Sequence, residues 1–487
     1  MLSDIKHNDK RLWLCTGFGL LLLLSASTAQ ALSEEKELEI GKQMHGQILA
    51  RFGVYPDPGL QQYVNDIGQK LAAVSDRNHL EFSFYVLDDD VVNAMALPGG
   101  YIYITRGLLA HLSSEAELAS VLGHEIGHVD ARHASKRDTS QKVSGVLSAA
   151  AAIAARSPIA GQAANMAGGA AISSYSRKQE LEADGLGAKY LAKTGYPTES
   201  VIRTVEILKR REQFEIERAR IEDREPNVGH GLYATHPDND KRFEEAVESA
   251  NQYKVANLPY DENTDAFLDR MNGLRWGPKR APGTFRNNWY YNSKLGVKMK
   301  FPDGWRVNGE PGNIEAVASD NNAVMQVVGV VPGRKMTAEE VLRRKLGLDS
   351  FRELQAITVS GMPGVLAVAD RWVSPFGPRP VRAAVVMDNR KRQAFVFAGS
   401  GRHDLNKIAS DQQFISTIFS FDHMTREEMP LGLPPRVKVV RAEDGTTVED
   451  LAAMSSIPVF AEQQIRLING LYPRGEPQAG QLVKVID

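Results

Sequence analysis

The 487-residue chain reads as an α+β protein in three parts: a mainly helical domain with a small sheet, an α+β domain built on an antiparallel sheet, and a small terminal module. Three observations predict this. Residues 114–129 carry helical apolar spacing behind a capping box at Ser114, residues 176–193 fall in a second helical pattern, and short β-type runs precede them between 82 and 105. Beyond residue 287, β-rich runs recur around two helical stretches. With 43% hydrophobic residues the length suffices for two or three cores, and a formal net charge of −2 offers no electrostatic case for a nucleic-acid partner.

Taking the elements in order, Lys6, Lys10 and Arg11 precede an apolar run at 12–24, and Ala29-Gln30-Ala31 offers small residues for a signal peptidase. Residues 1–31 are therefore expected to be a cleaved secretory signal, with an uncleaved anchor as the alternative. The only cysteine, Cys15, follows Leu14 rather than a small residue, which argues against lipoprotein processing, and the mature chain would hold no disulfide. Its other apolar segments are short, so no integral membrane span is expected there.

The first folded domain is expected over residues 32–257. Residues 82–87, 93–96 and 101–105 read as short strands, with Pro98-Gly99-Gly100 breaking the last two. Ser114-Glu115-Ala116-Glu117 then reads as a capping box, and Leu118, Val121, Leu122, Ile126 and Val129 form the apolar stripe of a helix. On that helix lies His124-Glu125-Ile126-Gly127-His128. At about 100° per residue the two imidazoles sit roughly 40° apart on one face, close enough to share an ion. Glu125 would reach a water beside that ion, where a general base belongs in zinc-assisted hydrolysis. Two partly buried histidines hydrogen-bonded in a core would give the same spacing.

A third ligand is needed, and Ala131 and Ala134 stand where a metzincin has glycine and histidine. That class is excluded. His133, five residues after His128, would point about 140° away on a continuous helix, so a structural or supporting role is expected for it. Residues 143–172 are dense in alanine, glycine and serine and read as two short helices beside the cleft. The next helical pattern contains Glu180, Glu182 and Asp184 and stops at Gly195. Glu180 and Asp184 share a face. Glu180 is the candidate third ligand, and Asp184 is placed to take the N–H of a ligating histidine. A solvated acidic face, with Lys178 paired to Glu182, is the competing reading.

HExxH followed some fifty residues later by Glu180-Leu181-Glu182-Ala183-Asp184, and preceded by Asn93-Ala94-Met95-Ala96-Leu97-Pro98-Gly99-Gly100, resembles the gluzincin metallopeptidases of the HtpX, CAAX prenyl protease and BepA type. The similarity covers about residues 33–250. It implies a zincin-type catalytic fold, one zinc ion per chain held by His124, His128 and Glu180, and an edge strand at Asn93 and Ala94 that holds substrate extended. An ordinary β-hairpin would show the same strand pattern. Thr235-His236-Pro237 with Arg242 looks like a further family element, implying that His236 is a fourth ligand that silences the resting enzyme or a donor to the oxyanion.

Residues 258–287 are rich in Pro, Gly, Asn and charge, which suits a linker. The second domain, 288–423, shows alternation at 295–302, β-rich runs at 323–331, 366–372, 381–387 and 394–398, and helical stretches at 337–345 and 406–419. It distantly resembles PsbP-like folds. Residues 434–487 give strand, helix, helix, strand, and look like a LysM-type module through Asn469-Gly470-Leu471 and Gly480-Gln481-Leu482. That resemblance implies a tether to peptidoglycan; a structural cap is the alternative.

Together these readings predict a periplasmic zinc endopeptidase of the bacterial cell envelope, with Glu125 moving the proton and unfolded or misassembled envelope proteins as substrates. The competing expectation is a non-catalytic or autoinhibited periplasmic chaperone or peptidoglycan-binding scaffold.

Overall fold

A computed structural model describes residues 33–138, 175–226, 239–254, 262–279, 283–286, 288–310, 312–333, 335–457 and 459–487. The expected signal at 1–31, the small-residue stretch at 143–172 and Thr235-His236-Pro237 lie outside the described residues.

Helix α1 (Glu34–Phe52) starts at Ser33, whose side chain accepts from the Lys36 amide, and α2 (Pro58–Ala72) starts at Asp57 with proline in its first turn. Three strands follow: β1 (Ser83–Leu87), β2 (Ala94–Leu97) and β3 (Tyr101–Thr105). β1 runs parallel to β3 and β2 antiparallel to it, giving the order β1-β3-β2. One side of β2 is therefore an open edge among the described residues. The first two strands begin one residue later than their composition suggests, at Ser83 and Ala94, although the Asn93 carbonyl still accepts from the Thr105 amide. α1 can lie against the turn between β2 and β3 only because Gly41 lacks a side chain; a Cβ there would come within 1.8 Å of the Pro98 carbonyl oxygen.

After the single turn α3 (Arg106–Leu109), the chain forms α4 (Glu115–Asp130), α5 (His133–Asp138), α6 (Arg177–Thr194), α7 (Ser200–Ile221) and α8 (Asn239–Tyr253). Ser114 caps α4 by accepting the Glu117 amide, but Glu117 returns its carboxylate to the amide of Ser113, one residue before the expected partner. α6 ends at Gly195 in the left-handed region, as its sequence predicts.

The stretch expected as a linker is not one throughout. It holds α9 (Thr264–Met271), with Phe267 and Met271 fully buried. The Pro and Gly density around it masked an amphipathic helix only two turns long. Residues 272–276 then pair with the C-terminal unit: the Gly273 amide donates to the Val437 carbonyl (2.7 Å) and the Val437 amide to the Leu274 carbonyl (2.8 Å).

Between these two segments lies the α+β domain, which holds strands β4 (Thr284–Arg286) to β14 (Asp422–His423) and helices α10 (Ala338–Leu346) and α11 (Asp411–Phe419). A seven-stranded antiparallel sheet has its long central strands at Met362–Ser374, Gly377–Asp388 and Gln393–Gly401. Separate apolar clusters cover its two faces. Sequence reading missed the edge strand Glu353–Val359, whose residues are mostly exposed and so lack a periodic apolar signal. The second helix begins at Asp411, later than residue 406.

The C-terminal residues form strand β15 (Val437–Arg441), α12 (Val448–Ala453), α13 (Ala461–Ile468) and strand β16 (Leu482–Ile486), the two strands antiparallel. Element order agrees with expectation, but separateness does not. Val437, Val448, Leu451, Ile465, Val483 and Ile486 belong to the same apolar cluster as Leu118, Leu122 and Ile126 of α4. The helical domain and the C-terminal unit share one core, and the seven-stranded domain is inserted between them.

Candidate metal centre

α4 and α6 approach closely because small residues face each other along the crossing. A Cβ on Gly127 would stand 3.0 Å from the Ala183 carbonyl oxygen, and one on Gly187 would stand 3.2 Å from the His124 amide nitrogen. This contact brings the acidic face of α6 against the two histidines of α4. His124 Nε2 and His128 Nε2 are 3.0 Å apart, and Glu180 places Oε2 3.6 Å from His124 Nε2 and Oε1 3.6 Å from His128 Nε2. All three ligand atoms lie within 4.8 Å of one another, and Glu180 is fully buried.

The geometry can be tested against an ion. Tetrahedral coordination at zinc's usual bond lengths of about 2.0–2.2 Å to nitrogen and oxygen puts neighbouring ligand atoms roughly 3.3–3.5 Å apart. The separations here bracket that range, so the donor set fits a divalent cation of this size.

The outer nitrogens of the two rings fix their tautomers. His124 Nδ1 lies 2.7 Å from Asp184 Oδ1, and His128 Nδ1 lies 2.8 Å from His133 Nδ1. Burial alone would raise the Asp184 carboxyl, but the Arg242 guanidinium and His124 outweigh it and hold it well below the usual carboxylate range. Asp184 is thus an acceptor, and His124 Nδ1 carries the proton. His133 Nε2 faces the Glu182 carboxylate at 3.3 Å, which makes its Nδ1 the acceptor for His128. Both Nε2 lone pairs then point toward the cluster, an arrangement that repels unless a cation sits among them.

His133 reaches this position because the helix does not continue. α4 ends at Asp130, Arg132 takes φ of 55°, and a new helix begins at His133. The angular count along one helix therefore does not apply, although the supporting role expected for His133 agrees with its place here. Glu37 accepts from Arg132 Nε at 2.6 Å and from Arg77 at 3.0 Å, and Arg77 also donates to the Val129 carbonyl. α1 thereby holds the turn that aims His133. Tyr175 stacks on the His128 ring, with centroids 3.7 Å apart.

Arg242 of α8 donates to both oxygens of Asp184, each at 2.9 Å, and lies 3.3 Å from Glu180. Burial opposes its charge, but the two carboxylates more than compensate and raise its pKa further. One guanidinium thus orients the carboxylate ligand and the carboxylate behind His124 together. Its signal was available: Arg242, Ala246 and Ala250 are four residues apart and all buried, so a cation falls on the packed stripe of α8. His133 had no comparable signal, since no glycine announces the turn at Arg132.

Glu125 is 1% exposed and lines, with His124, Ser120, Thr204 and Leu208, a cavity of about 30 Å³, room enough for a water. Asn93 is buried and its backbone is spent internally: its amide donates to Thr105 Oγ1 and its carbonyl accepts from the Thr105 amide. By alternation the outward backbone groups of the β2 edge are those of Ala94 and Ala96. Ala96 and Leu97 line a small hollow together with His128 and Tyr175. His236 lies outside the described residues.

Residues 58–250 match the family model described as Peptidase family M48. The beta-barrel assembly-enhancing protease of Escherichia coli K12 is 29% identical over 240 residues, 47% of each chain. A putative beta-barrel assembly-enhancing protease of Vibrio cholerae is 33% identical over 214 residues, 42% of each chain. The match spans about half the length of these curated relatives. Among solved structures, cyanobacterial PsbP from Synechocystis sp. PCC 6803 aligns with 28% of this chain and 91% of its own at 16% identity and a TM-score of 0.23, a likeness too slight to bear on the fold. The segment that holds the histidine and glutamate cluster is thus the segment similar to a metallopeptidase family. No helix among the described residues is long and apolar enough to cross a membrane.

Proposed function

We propose that the protein is a zinc-dependent endopeptidase of the bacterial cell envelope, with one zinc ion held by His124, His128 and Glu180. The observation that carries this reading is the His124–His128–Glu180 cluster, whose separations suit zinc and whose rings present lone pairs inward. When bound, the ion would polarise the scissile carbonyl and acidify a water. Glu125, beside His124 on the cleft side of α4, takes the proton from the attacking water and returns it to the leaving amine. Asp184 and His133 keep the two imidazoles oriented, and Arg242 keeps both α6 carboxylates ionised and in place. The half-buried Ala96 on the β2 edge offers backbone groups to an extended peptide, with Asn93 and the buried Ala94 shaping its start.

The relatives are named as proteases that enhance β-barrel assembly, and unfolded or misassembled envelope proteins are the substrates proposed here. Residues 1–31 direct the chain to the periplasm in this reading, and the C-terminal unit is a LysM-like candidate for contact with peptidoglycan. His236 either closes the resting site or assists the oxyanion. The direct test is Glu125→Gln in the full chain: casein cleavage falls to background while one zinc per chain stays bound. Retained cleavage by that variant refutes the mechanism. Cleavage that appears only in His236→Ala identifies that histidine as the closing group.

A further inference from the structure

We propose that the C-terminal strand-helix-helix-strand unit is a working part of the peptidase, with Lys484 as a positioning residue that sets the N-terminal end of the active-site helix. Lys484 lies on β16, is fully buried, and donates through Nζ to the carbonyls of Ala110 (3.0 Å) and Leu112. Those carbonyls belong to the turn between α3 and α4, immediately before the Ser114 cap. A buried lysine is costly unless its charge and all its donors are engaged, so its retention here requires partners from the helical domain. Burial pulls the Lys484 pKa down to about 7 and pushes the Glu117 carboxyl up, while Glu117, in the first turn of α4, opposes the fall at the lysine.

The groups facing Lys484 come from several elements. Glu117 also accepts from the Ser113 amide and stands 3.8 Å from Arg203 of α7. His111 is buried, donates through Nδ1 to the Gly107 carbonyl, accepts at Nε2 from Arg211 of α7, and stacks on Trp276. The lysine's own backbone is fixed from behind by Asn469, which accepts from its amide (2.7 Å) and donates to its carbonyl (2.8 Å). A second contact, made by α13 and the loop after it, presses on α7: Arg210 donates to the Gly470 carbonyl, and Tyr472 bonds Glu217.

The turn that starts α4, and helix α7 that packs against α4, are thus both referenced to the C-terminal unit. His124 lies two turns beyond Glu117, about 10 Å along the axis. A small tilt introduced at the Ser114 end is carried rigidly to both histidines, and a displacement of about 1 Å at a reacting centre can cost on the order of 10²-fold in rate. The inference rests on the peptidase reading, but hydrogen exchange separates the two.

The experiment compares full-length wild type, Lys484→Met and Asn469→Ala at a temperature where each is fully folded by circular dichroism. Expected for Lys484→Met are a roughly 10- to 100-fold lower kcat on unfolded casein, KM within about twofold, and faster amide exchange across residues 110–122. Asn469→Ala moves the same readouts less. A folded Lys484→Met with wild-type kcat and exchange overturns the proposal, as does a lowered melting temperature with kcat unchanged below it. If Lys484→Met does not fold, Asn469→Ala decides alone, and wild-type kcat in that variant overturns the proposal. If neither wild type nor His236→Ala cleaves anything, and exchange is still faster in Lys484→Met, the peptidase reading is refuted and the positioning role stands.

Discussion

Replacing the two groups behind the histidine ligands should weaken zinc binding by different amounts, in an order set by charge. His124 Nδ1 donates to a carboxylate held ionised by Arg242, whereas His128 Nδ1 donates to a neutral imidazole. A hydrogen bond to a charged partner contributes about 1.5–3 kcal/mol, against about 0.5–1.5 kcal/mol for a neutral pair. Loss of such an outer partner commonly lowers metal affinity about 10- to 100-fold. His133→Ala should therefore sit near the tenfold end, about 1.4 kcal/mol, and Asp184→Asn near the hundredfold end, about 2.7 kcal/mol. Asparagine still accepts through Oδ1, but its NH₂ meets the Arg242 guanidinium that now bridges both carboxylate oxygens. Zinc affinity measured by competition with a chromophoric chelator, on protein shown to be folded without metal, gives both numbers. Equal affinities in all three proteins, or the reverse order, would sink the assignment of these residues as orienting partners.

Three further outcomes follow from the same geometry. Arg242→Met leaves Asp184 and Glu180 buried without their cation; breaking such a pair costs about 3–5 kcal/mol, and urea unfolding should show that loss in apo protein and a smaller one in excess zinc, where the dication replaces the guanidinium. Gly127→Val puts methyl groups where a Cβ alone already stands 3.0 Å from the Ala183 carbonyl, so a stability loss of about 1–3 kcal/mol should come with zinc binding weakened more than by Ala119→Val, at another buried α4 position. For pH, the folded Asp184 carboxyl lies below its ordinary value of 3.8, so its contribution to apo stability is complete above that value and lost as pH falls below it. Burial lowers the His124 pKa but Asp184 more than offsets it, so the stability difference between wild type and Asp184→Asn should grow as pH falls from 7 to 6 and shrink only below about pH 4; shrinkage already at pH 6 to 5 contradicts the ion-pair account.

Much of the site could be read from local spacing. His124 and His128 are one helical turn apart, and so are Glu180 and Asp184, so each pair follows from a period that tertiary contacts do not alter. The cap at Ser114, the left-handed stop at Gly195 and the strand at Tyr101–Thr105 are likewise set by residues within a turn of one another. Where reading failed, the cause was non-local. The helix Thr264–Met271 was hidden by neighbouring turn formers, yet Phe267 and Met271 bury themselves in a core supplied by other segments. The Glu353–Val359 strand exists because the next strand offers it hydrogen bonds, and its exposed side chains carry no pattern of their own.

The sequence by itself determined the chemistry available: two imidazoles and two carboxylates on separate helices, each pair on one face, because side-chain direction along a helix is a local property. Only the tertiary structure decided which of their atoms meet. The glycine contacts between α4 and α6 set the 3.6 Å separations between Glu180 and the two histidines. The left-handed turn at Arg132 swung His133 behind His128, and Arg242 came in from α8, more than fifty residues beyond its carboxylate partners. The same holds for the C-terminal unit, whose four elements follow from local patterns while its union with the helical core depends on Lys484 reaching carbonyls more than 370 residues away. Helix faces are fixed by a few bonds' worth of sterics; distances between helices are fixed by what the whole chain packs between them.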